Sequence, residues 1–244
     1  MTKIIAIANF KGGVGKTTSV LNIGAAMARA GKRTLLIDLD PQANLTNSLD
    51  VTVKDSDTTI YKILRKIDKP QALQVADCLF IIPSSLELNK AELELSSEFK
   101  REEILAKLLK PHQTAYDYVL LDCPPSLGLL TINAFVAADY ILVPIEAEYL
   151  ALKGYAILNE AISAVGLDID RVFITKYDSR KILNRDVKES IESALQDKLF
   201  KTLIRDNIAL AEAPAQGLDI FRYSPKSYGA EDYEALCREI LTVW

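Results

Sequence analysis

The sequence predicts an α/β fold, a mostly parallel twisted β-sheet with helices on both faces. Three observations carry that prediction. Short apolar runs alternate with stretches of helical spacing along most of the chain. The first apolar run, Ile4-Ile5-Ala6-Ile7-Ala8, leads to a glycine-rich turn at Lys11 to Thr18 that opens into a helical pattern. Two later apolar runs stop at acidic turns, one at Asp38 and one at Asp122.

Strand one covers residues 3–9, and a helix from Lys16 to Ala30 follows and ends at Gly31. Arg33-Thr34-Leu35-Leu36-Ile37 is the second strand, stopped by the acidic turn and Pro41. Residues 43–58 are polar and rich in turn formers, so they read as a mobile loop. A helix near 59–66 and a short strand at Leu79-Phe80-Ile81-Ile82 come next. Residues 98–110 alternate charged and apolar positions at helical spacing. The strand Tyr118-Val119-Leu120-Leu121 ends at Asp122, where Pro124-Pro125 stops it. Tyr140-Ile141-Leu142-Val143 and Val172-Phe173-Ile174 are further strands, with a helix over 149–164 between them. Helices near 182–195 and 228–243 complete the pattern, with no internal repeat and no low-complexity segment.

With 244 residues and 49% apolar content, the chain can bury one large core, and residues 1–244 are expected to form a single domain. Cys78, Cys123 and Cys237 are too few and too scattered for a disulfide framework or a zinc site, which points to a reducing, cytoplasmic setting. Cys123 beside Asp122 reads as a small buried side chain. The first strand starts almost at once, so neither a signal peptide nor an N-terminal helix-turn-helix domain is expected. No apolar run has the length of a membrane span. The single histidine, His112, follows Pro111 and reads as a surface residue without metal or catalytic work.

The stretch Lys11-Gly12-Gly13-Val14-Gly15-Lys16-Thr17-Thr18 has the composition of a phosphate cradle. Residues without Cβ atoms let backbone N–H groups curl around anionic oxygens, and the next helix points its positive end at the same anion. Lys16 would reach the β- and γ-phosphates of a nucleotide, and the Thr17 hydroxyl would complete a Mg²⁺ shell. The string departs from the spacing G-x-x-x-x-G-K-[ST], because Phe10 stands where the first glycine belongs. What it has instead is a second lysine, Lys11, on the wrong side of the loop to repeat what Lys16 does. A cation there is best used on a phosphate bound by a second subunit.

The carboxylates complete the chemistry. Asp38 and Asp40 are two apart at the end of a buried strand, so extended geometry would turn both the same way. Asp122 ends its own strand at the same sheet edge, where open parallel sheets bind ligands. Clustered carboxylates beside a triphosphate hold Mg²⁺ or its waters and place the attacking water.

These residues resemble the deviant-P-loop ATPases of the ParA/MinD group, and most of all the small, chromosome-type, Soj-like ParA partition ATPases. The resemblance extends through Leu36-Ile37-Asp38-Leu39-Asp40-Pro41-Gln42, Leu120-Leu121-Asp122-Cys123-Pro124-Pro125-Ser126-Leu127-Gly128 and Glu148-Tyr149-Leu150-Ala151-Leu152-Lys153-Gly154. It continues through Ala211-Glu212-Ala213-Pro214 and Ser224-Pro225-Lys226-Ser227-Tyr228-Gly229-Ala230. It implies ATP and Mg²⁺ as cofactors, with Asp40 acting on the attacking water and Asp38 and Asp122 acting through the metal's outer shell. It also implies that Lys11 crosses to the partner's phosphates, so that ATP holds a homodimer and hydrolysis releases it. Further implied are sequence-independent binding to double-stranded DNA, slow basal hydrolysis, a stimulating ParB-like adaptor and a nucleoid-associated place in the cytoplasm.

Two departures bear on the output. Relatives usually read I-P-R-N-V-R-L-S-E-A-P where this chain has Ile204-Arg205-Asp206-Asn207-Ile208-Ala209-Leu210-Ala211-Glu212-Ala213-Pro214. The second arginine of that run, a DNA-contacting position in the family, is Ala209 here, and Arg205 and Asp206 replace the proline and first arginine. Asn207 is retained as the base-contacting residue. DNA contact then falls to candidates such as Arg180, Arg185, Arg205 and Arg222. The net charge of −4 and the acids interleaved with these arginines are equally compatible with an ordinary mixed-charge surface. The rival readings are a MinD-like switch on a membrane and a switch that positions a protein assembly. The first needs a basic amphipathic C-terminal helix, whereas residues 232–244 contain more acids than bases.

Overall fold

A computed structural model describes residues 1–110 and 115–244. His112 and Pro111 lie outside the described residues. The strands are β1 (Lys3–Ile7), β2 (Thr34–Asp38), β3 (Leu73–Ala76), β4 (Leu79–Ile82), β5 (Tyr118–Asp122), β6 (Tyr140–Glu146), β7 (Arg171–Tyr177) and β8 (Leu199–Arg205). The helices are α1 (Lys16–Arg29), α2 (Asn44–Ser48), α3 (Ile60–Leu64), α4 (Ala91–Leu95), α5 (Ile104–Leu109), α6 (Leu129–Ala137), α7 (Ala151–Ala164), α8 (Ile182–Leu195), α9 (Ile208–Glu212), α10 (Ile220–Tyr223) and α11 (Tyr228–Val243).

The strands form one sheet in the order β3-β4-β2-β5-β1-β6-β7-β8, parallel throughout except for the β3–β4 hairpin. Alternation along each strand sends side chains to two apolar layers. On one face Ile4, Leu35, Leu121 and Val143 pack with residues of α3 to α8. On the other Ile5, Leu36, Leu120 and Phe173 pack with α1, α2, α10 and α11. Each fully buried leucine or isoleucine in these layers contributes about 1.5–3 kcal/mol relative to exposure. Helix α1 lies so close to β2 that a Cβ at Gly24 would sit 2.6 Å from Leu36 Cδ2.

Register decides where the chemistry collects. β5 pairs with β2 so that Asp122 lies opposite Asp38, and with β1 so that Asp122 lies opposite Ile7. The loop after β1 therefore emerges next to both carboxylates.

The outer edge of β8 is closed from above by α11. Glu239 accepts the N–H groups of Lys201 (3.0 Å) and Thr202 (3.1 Å) and the Thr202 hydroxyl (2.8 Å). Seven residues earlier, on the same side of the helix, Asp232 accepts the Arg205 N–H at 2.9 Å.

Several elements differ from the sequence expectation. The loop over 43–58 contains α2, whose Thr46 is buried. The helix expected over 98–110 divides into a 3-10 turn, Arg101–Glu103, and α5. Strand one stops at Ile7, and β3, β8, α4, α6, α9 and α10 have no counterpart in the sequence expectation.

Candidate nucleotide-binding site

The loop after β1 is pinned at both ends. Asn9 Nδ2 donates to the Pro144 carbonyl at 2.8 Å, and Asn9 Oδ1 accepts the Lys11 N–H at 3.0 Å. Val14 is buried, and its carbonyl accepts the Thr175 hydroxyl from β7 at 2.9 Å. On either side of Val14, Gly13 and Gly15 hold φ of 78° and 88°, left-handed values that residues with Cβ rarely adopt. Helix α1 starts at Lys16 with no side chain capping it, which leaves its first N–H groups and its positive end for an anion. Lys16 is buried, its Nζ donates to the Lys11 carbonyl at 3.3 Å, and burial lowers its pKa against the pull of Asp122. A phosphate would relieve that burial.

The loop glycines, Lys16, Thr17, Thr18, Asp40, Gln42 and Lys176 line a cavity of about 510 Å³. A second cavity, about 130 Å³, is lined by Asp206, Asn207, Leu210 and Tyr233 and shares Gly15, Thr18 and Lys176 with the first. A cavity lined by the glycine-rich loop, Lys16 and Asp40, adjoining a smaller one of mostly apolar walls, suits a phosphate chain attached to a base. Asn207 caps α9 through Oδ1, which accepts the Ala209 N–H at 2.9 Å, so its Nδ2 donor is the group left for a base.

The three acids are placed differently from one another. Asp38 is fully buried, and its Oδ1 accepts the Asp40 N–H at 3.1 Å. Its Oδ2 accepts both the N–H (2.9 Å) and the hydroxyl (2.7 Å) of Thr46. Burial raises its carboxyl to about 6, with the Thr46 bonds opposing and the Asp40 charge adding. Asp122 is also fully buried, and neither carboxylate oxygen makes a well-formed hydrogen bond, although the Thr17 hydroxyl lies close enough to act on it. Burial and the neighbouring Asp38 push it well above the ordinary range, while the Thr17 hydroxyl and the Lys16 ammonium pull it down. Asp40 alone lines the cavity, its Oδ1 accepting the Gln42 N–H at 2.9 Å. Asp38 and Asp40 are not equivalent, since β2 ends at Asp38, whose carboxylate accepts the Asp40 N–H, while Asp40 lines the cavity.

A buried carboxylate next to the Thr17 hydroxyl is a donor set that suits a hard divalent cation. No group of three or more His, Cys, Asp or Glu among the described residues forms a ready cage. A cation fits here with few protein ligands, the rest of its shell coming from phosphate oxygens and water. Cys123, beside Asp122, is buried with its thiol pushed far up, which makes it inert.

Lys11 does not line the cavity and is ion-paired with Glu146 and Glu148 of its own chain. The candidate arginines are not gathered at one place by any shared partner. Arg205 is held by Asp232 and Glu231 and lies 4.1 Å over the Tyr228 ring, with the Asp232 bond raising its pKa. Arg222 pairs with Asp219, and Arg180 binds Asp178 through two nitrogens at 2.9 Å. Arg185 donates to the Ser179 carbonyl at 3.0 Å.

The family model described as an AAA domain matches residues 2–175. A protein of Bacillus subtilis, named sporulation initiation inhibitor protein Soj, is 41% identical over 98% of both chains. This chain belongs to the Soj-type ParA ATPases. A second relative, the chromosome-partitioning ATPase Soj of Treponema pallidum, is 40% identical over 99% of this chain and 98% of its own. Among solved structures, cobyrinic acid a,c-diamide synthase of Mycobacterium smegmatis with a bound ATP analogue and magnesium is 32% identical, with a TM-score of 0.87. That match covers 100% of this chain and 96% of the other.

The Soj-type site contains residues that motif reading did not find. Thr46 fixes Asp38, Thr175 fixes the loop, Tyr233 meets Ser19 of α1 at 2.9 Å, and Lys176 lies at the junction of the two cavities. Thr175 and Lys176 stand near the carboxyl end of β7, so topology was the signal that pointed to them.

Proposed function

We propose that this chain is an ATP-driven partition switch in which residues 1–244 act as one ATPase domain. It binds ATP with Mg²⁺, pairs with a second copy, and in that state holds double-stranded DNA without regard to sequence. A ParB-like adaptor stimulates hydrolysis, which releases the pair and the DNA. The protein works in the cytoplasm at the nucleoid.

The observation that carries this reading is Asp122, a buried carboxylate without a well-formed hydrogen bond beside Thr17 and Lys16. A carboxylate so buried, with only the Thr17 hydroxyl and the Lys16 ammonium to favour its charge, is costly to ionise unless a further cation completes it. The N–H groups of Gly12, Gly13, Val14 and Gly15, with those of Lys16 to Thr18, receive the phosphate chain, and the Nδ2 of Asn207 meets the base. Lys16 moves from the Lys11 carbonyl to the β- and γ-phosphate oxygens. Mg²⁺ would be held by Thr17, with Asp38 and Asp122 behind its waters, and supplies charge neutralisation on the phosphates. Asp40 orients the attacking water, and Lys11 of a second copy meets the charge that develops on the transferred group. Assembly of the site from two copies accounts for slow turnover in a lone subunit.

DNA is met by exposed guanidinium groups, with Arg180, 88% exposed, better placed than Arg205 and Arg222, which are 37% and 40% exposed and held by Asp232 and Asp219. The membrane reading has less support. α11 buries Tyr233, Leu236, Cys237 and Ile240 against the sheet, which uses up its apolar face. Among the described residues no helix is long and apolar enough to cross a membrane.

The deciding experiment measures binding to arbitrary duplex DNA at near-physiological salt with a slowly hydrolysed ATP analogue, with ADP and with no nucleotide. Binding only with the analogue, falling steeply as salt rises, is expected. A preparation that dimerises with the analogue and still ignores DNA would overturn the DNA-partition reading.

A further inference from the structure

Within one copy of the chain, Lys11 already has partners for its charge. Its ammonium lies 3.1 Å from Glu146 Oε2 and 2.5 Å from Glu148 Oε1. Glu146 is the last residue of β6, and Glu148 follows in a turn closed by two backbone bonds. In that turn the Glu148 N–H donates to the Glu146 carbonyl at 2.8 Å, and the Ala151 N–H donates to the Glu148 carbonyl at 3.0 Å. The other side of the contact is tied to the same strand. The Lys11 N–H is held by Asn9, which in turn is bonded to the carbonyl of Pro144 in β6. Lysine and glutamates are thus anchored on one strand end, and Lys11 is not among the residues that line the phosphate cavity of its own subunit.

The three side chains are partly exposed, at 44%, 27% and 39%. Burial lowers the Lys11 pKa, and hydrogen bonds to Glu148 and Glu146 outweigh it, so the net shift is upward and the lysine stays charged at neutral pH. Partly exposed ion pairs are weak and screened by salt. Such a contact biases where the lysine rests without locking it there.

We propose that Glu146 and Glu148 are positioning residues that hold Lys11 in cis, and that ATP-dependent pairing of two copies requires each Lys11 to leave this clasp. The inference rests on the reading above that Lys11 acts across a subunit boundary. A lone subunit then keeps its catalytic cation parked, and two clasps open for each dimer formed. The per-subunit bias is therefore squared in the dimer constant.

Glu146→Gln and Glu148→Gln, separately and together, remove the charge with little change of shape. Two quantities are read: the rate at which an amine-acylating reagent modifies Lys11 in the nucleotide-free chain, and the dimer dissociation constant with the ATP analogue by analytical ultracentrifugation. In the double variant, Lys11 is expected to be modified several-fold faster and the dimer to be about tenfold tighter. A thermal midpoint close to that of the wild type establishes that the variant is folded, and the single variants carry the test if the double one is not. An unchanged acylation rate, or a dimer no tighter than the wild type's, overturns the clasp. Lys11→Ala separates the two readings. If it dimerises normally with the analogue, action across the boundary fails whatever the glutamates do. If it stays monomeric while the glutamine variants match the wild type, the clasp alone fails.

Discussion

Asp38 and Asp122 face one another across two adjacent strands with no water reaching either, and their protonation is coupled to folding. A carboxyl whose pKa is raised by folding favours the folded state when protonated. The stability that Asp38 confers is complete below about pH 4 and is lost as pH rises through about 6. A shift of that size corresponds to roughly 3 kcal/mol. Urea denaturation of the nucleotide-free chain is expected to show this loss, and Asp122→Asn is expected to flatten it. That variant should also be at least as stable as the wild type at pH 7, because its side chain can no longer take on a charge that burial and Asp38 disfavour, while its turnover falls at least tenfold. A stability at pH 7 below that of the wild type would show that Lys16 and Thr17 more than compensate that charge. Thr46 is the second test at this scale. Thr46→Val removes a charge-assisted bond to Asp38, typically about 1.5–3 kcal/mol, so the acid limb of the pH–rate profile should move up by about one to two pH units. The acids themselves were legible in the sequence, because each ends an apolar run at one sheet edge. The hold that Thr46 has on Asp38 was not, since it joins a loop to a strand and leaves no periodic trace.

Elements with a strong internal pattern were readable in advance, and those made by tertiary contact were not. β4, β5, α7, α8 and α11 fall within a residue or two of expectation, since each has either a continuous apolar run or a clear helical stripe. α2 has neither. Its five residues are Asn44-Leu45-Thr46-Asn47-Ser48, and it is helical because Leu45 is buried under α1 and Thr46 is bound to Asp38. β8 mixes lysine, threonine and arginine with apolar residues, so its sequence matches a mixed-charge surface, and its pairing with β7 makes it a strand. α6 follows two prolines and is apolar almost all round, which hides a period. α1 provides the prediction for this scale. Gly24→Ala improves helix propensity by up to about 1 kcal/mol, yet its methyl meets Leu36 at 2.6 Å. Overpacking of this kind costs about 1–3 kcal/mol, so a net loss is expected in urea denaturation, and a gain would mean that α1 can lift from β2 freely. At the start of α11, Ser227 accepts the Ala230 N–H as a cap, and Ser227→Ala should lower the unfolding free energy by about 1 kcal/mol.

Over the whole molecule, strand order explains why a site assembled from distant segments could be guessed from short motifs. β1 stands between β5 and β6, so its loop, both acidic turns and the end of β7 open on one rim. The opposite features, the edges of the sheet, have no motif, and the one at β8 shows how the molecule limits its own associations. Glu239→Ala would leave the Lys201 and Thr202 donors without their acceptor, and light scattering at raised protein concentration is expected to show slow aggregation that the wild type lacks. A variant that stays clear at the same concentration would show that the carboxylate is not needed there. With α11 in place, the Lys201, Thr202 and Arg205 donors of β8 are already taken by carboxylates, which leaves a neighbouring chain fewer groups on which to extend the ladder. On that side, growth by adding strand to strand into an open-ended fibre is disfavoured. A pair closed through a discrete surface, unlike such a fibre, can be dismantled in one step when the contact that made it is removed.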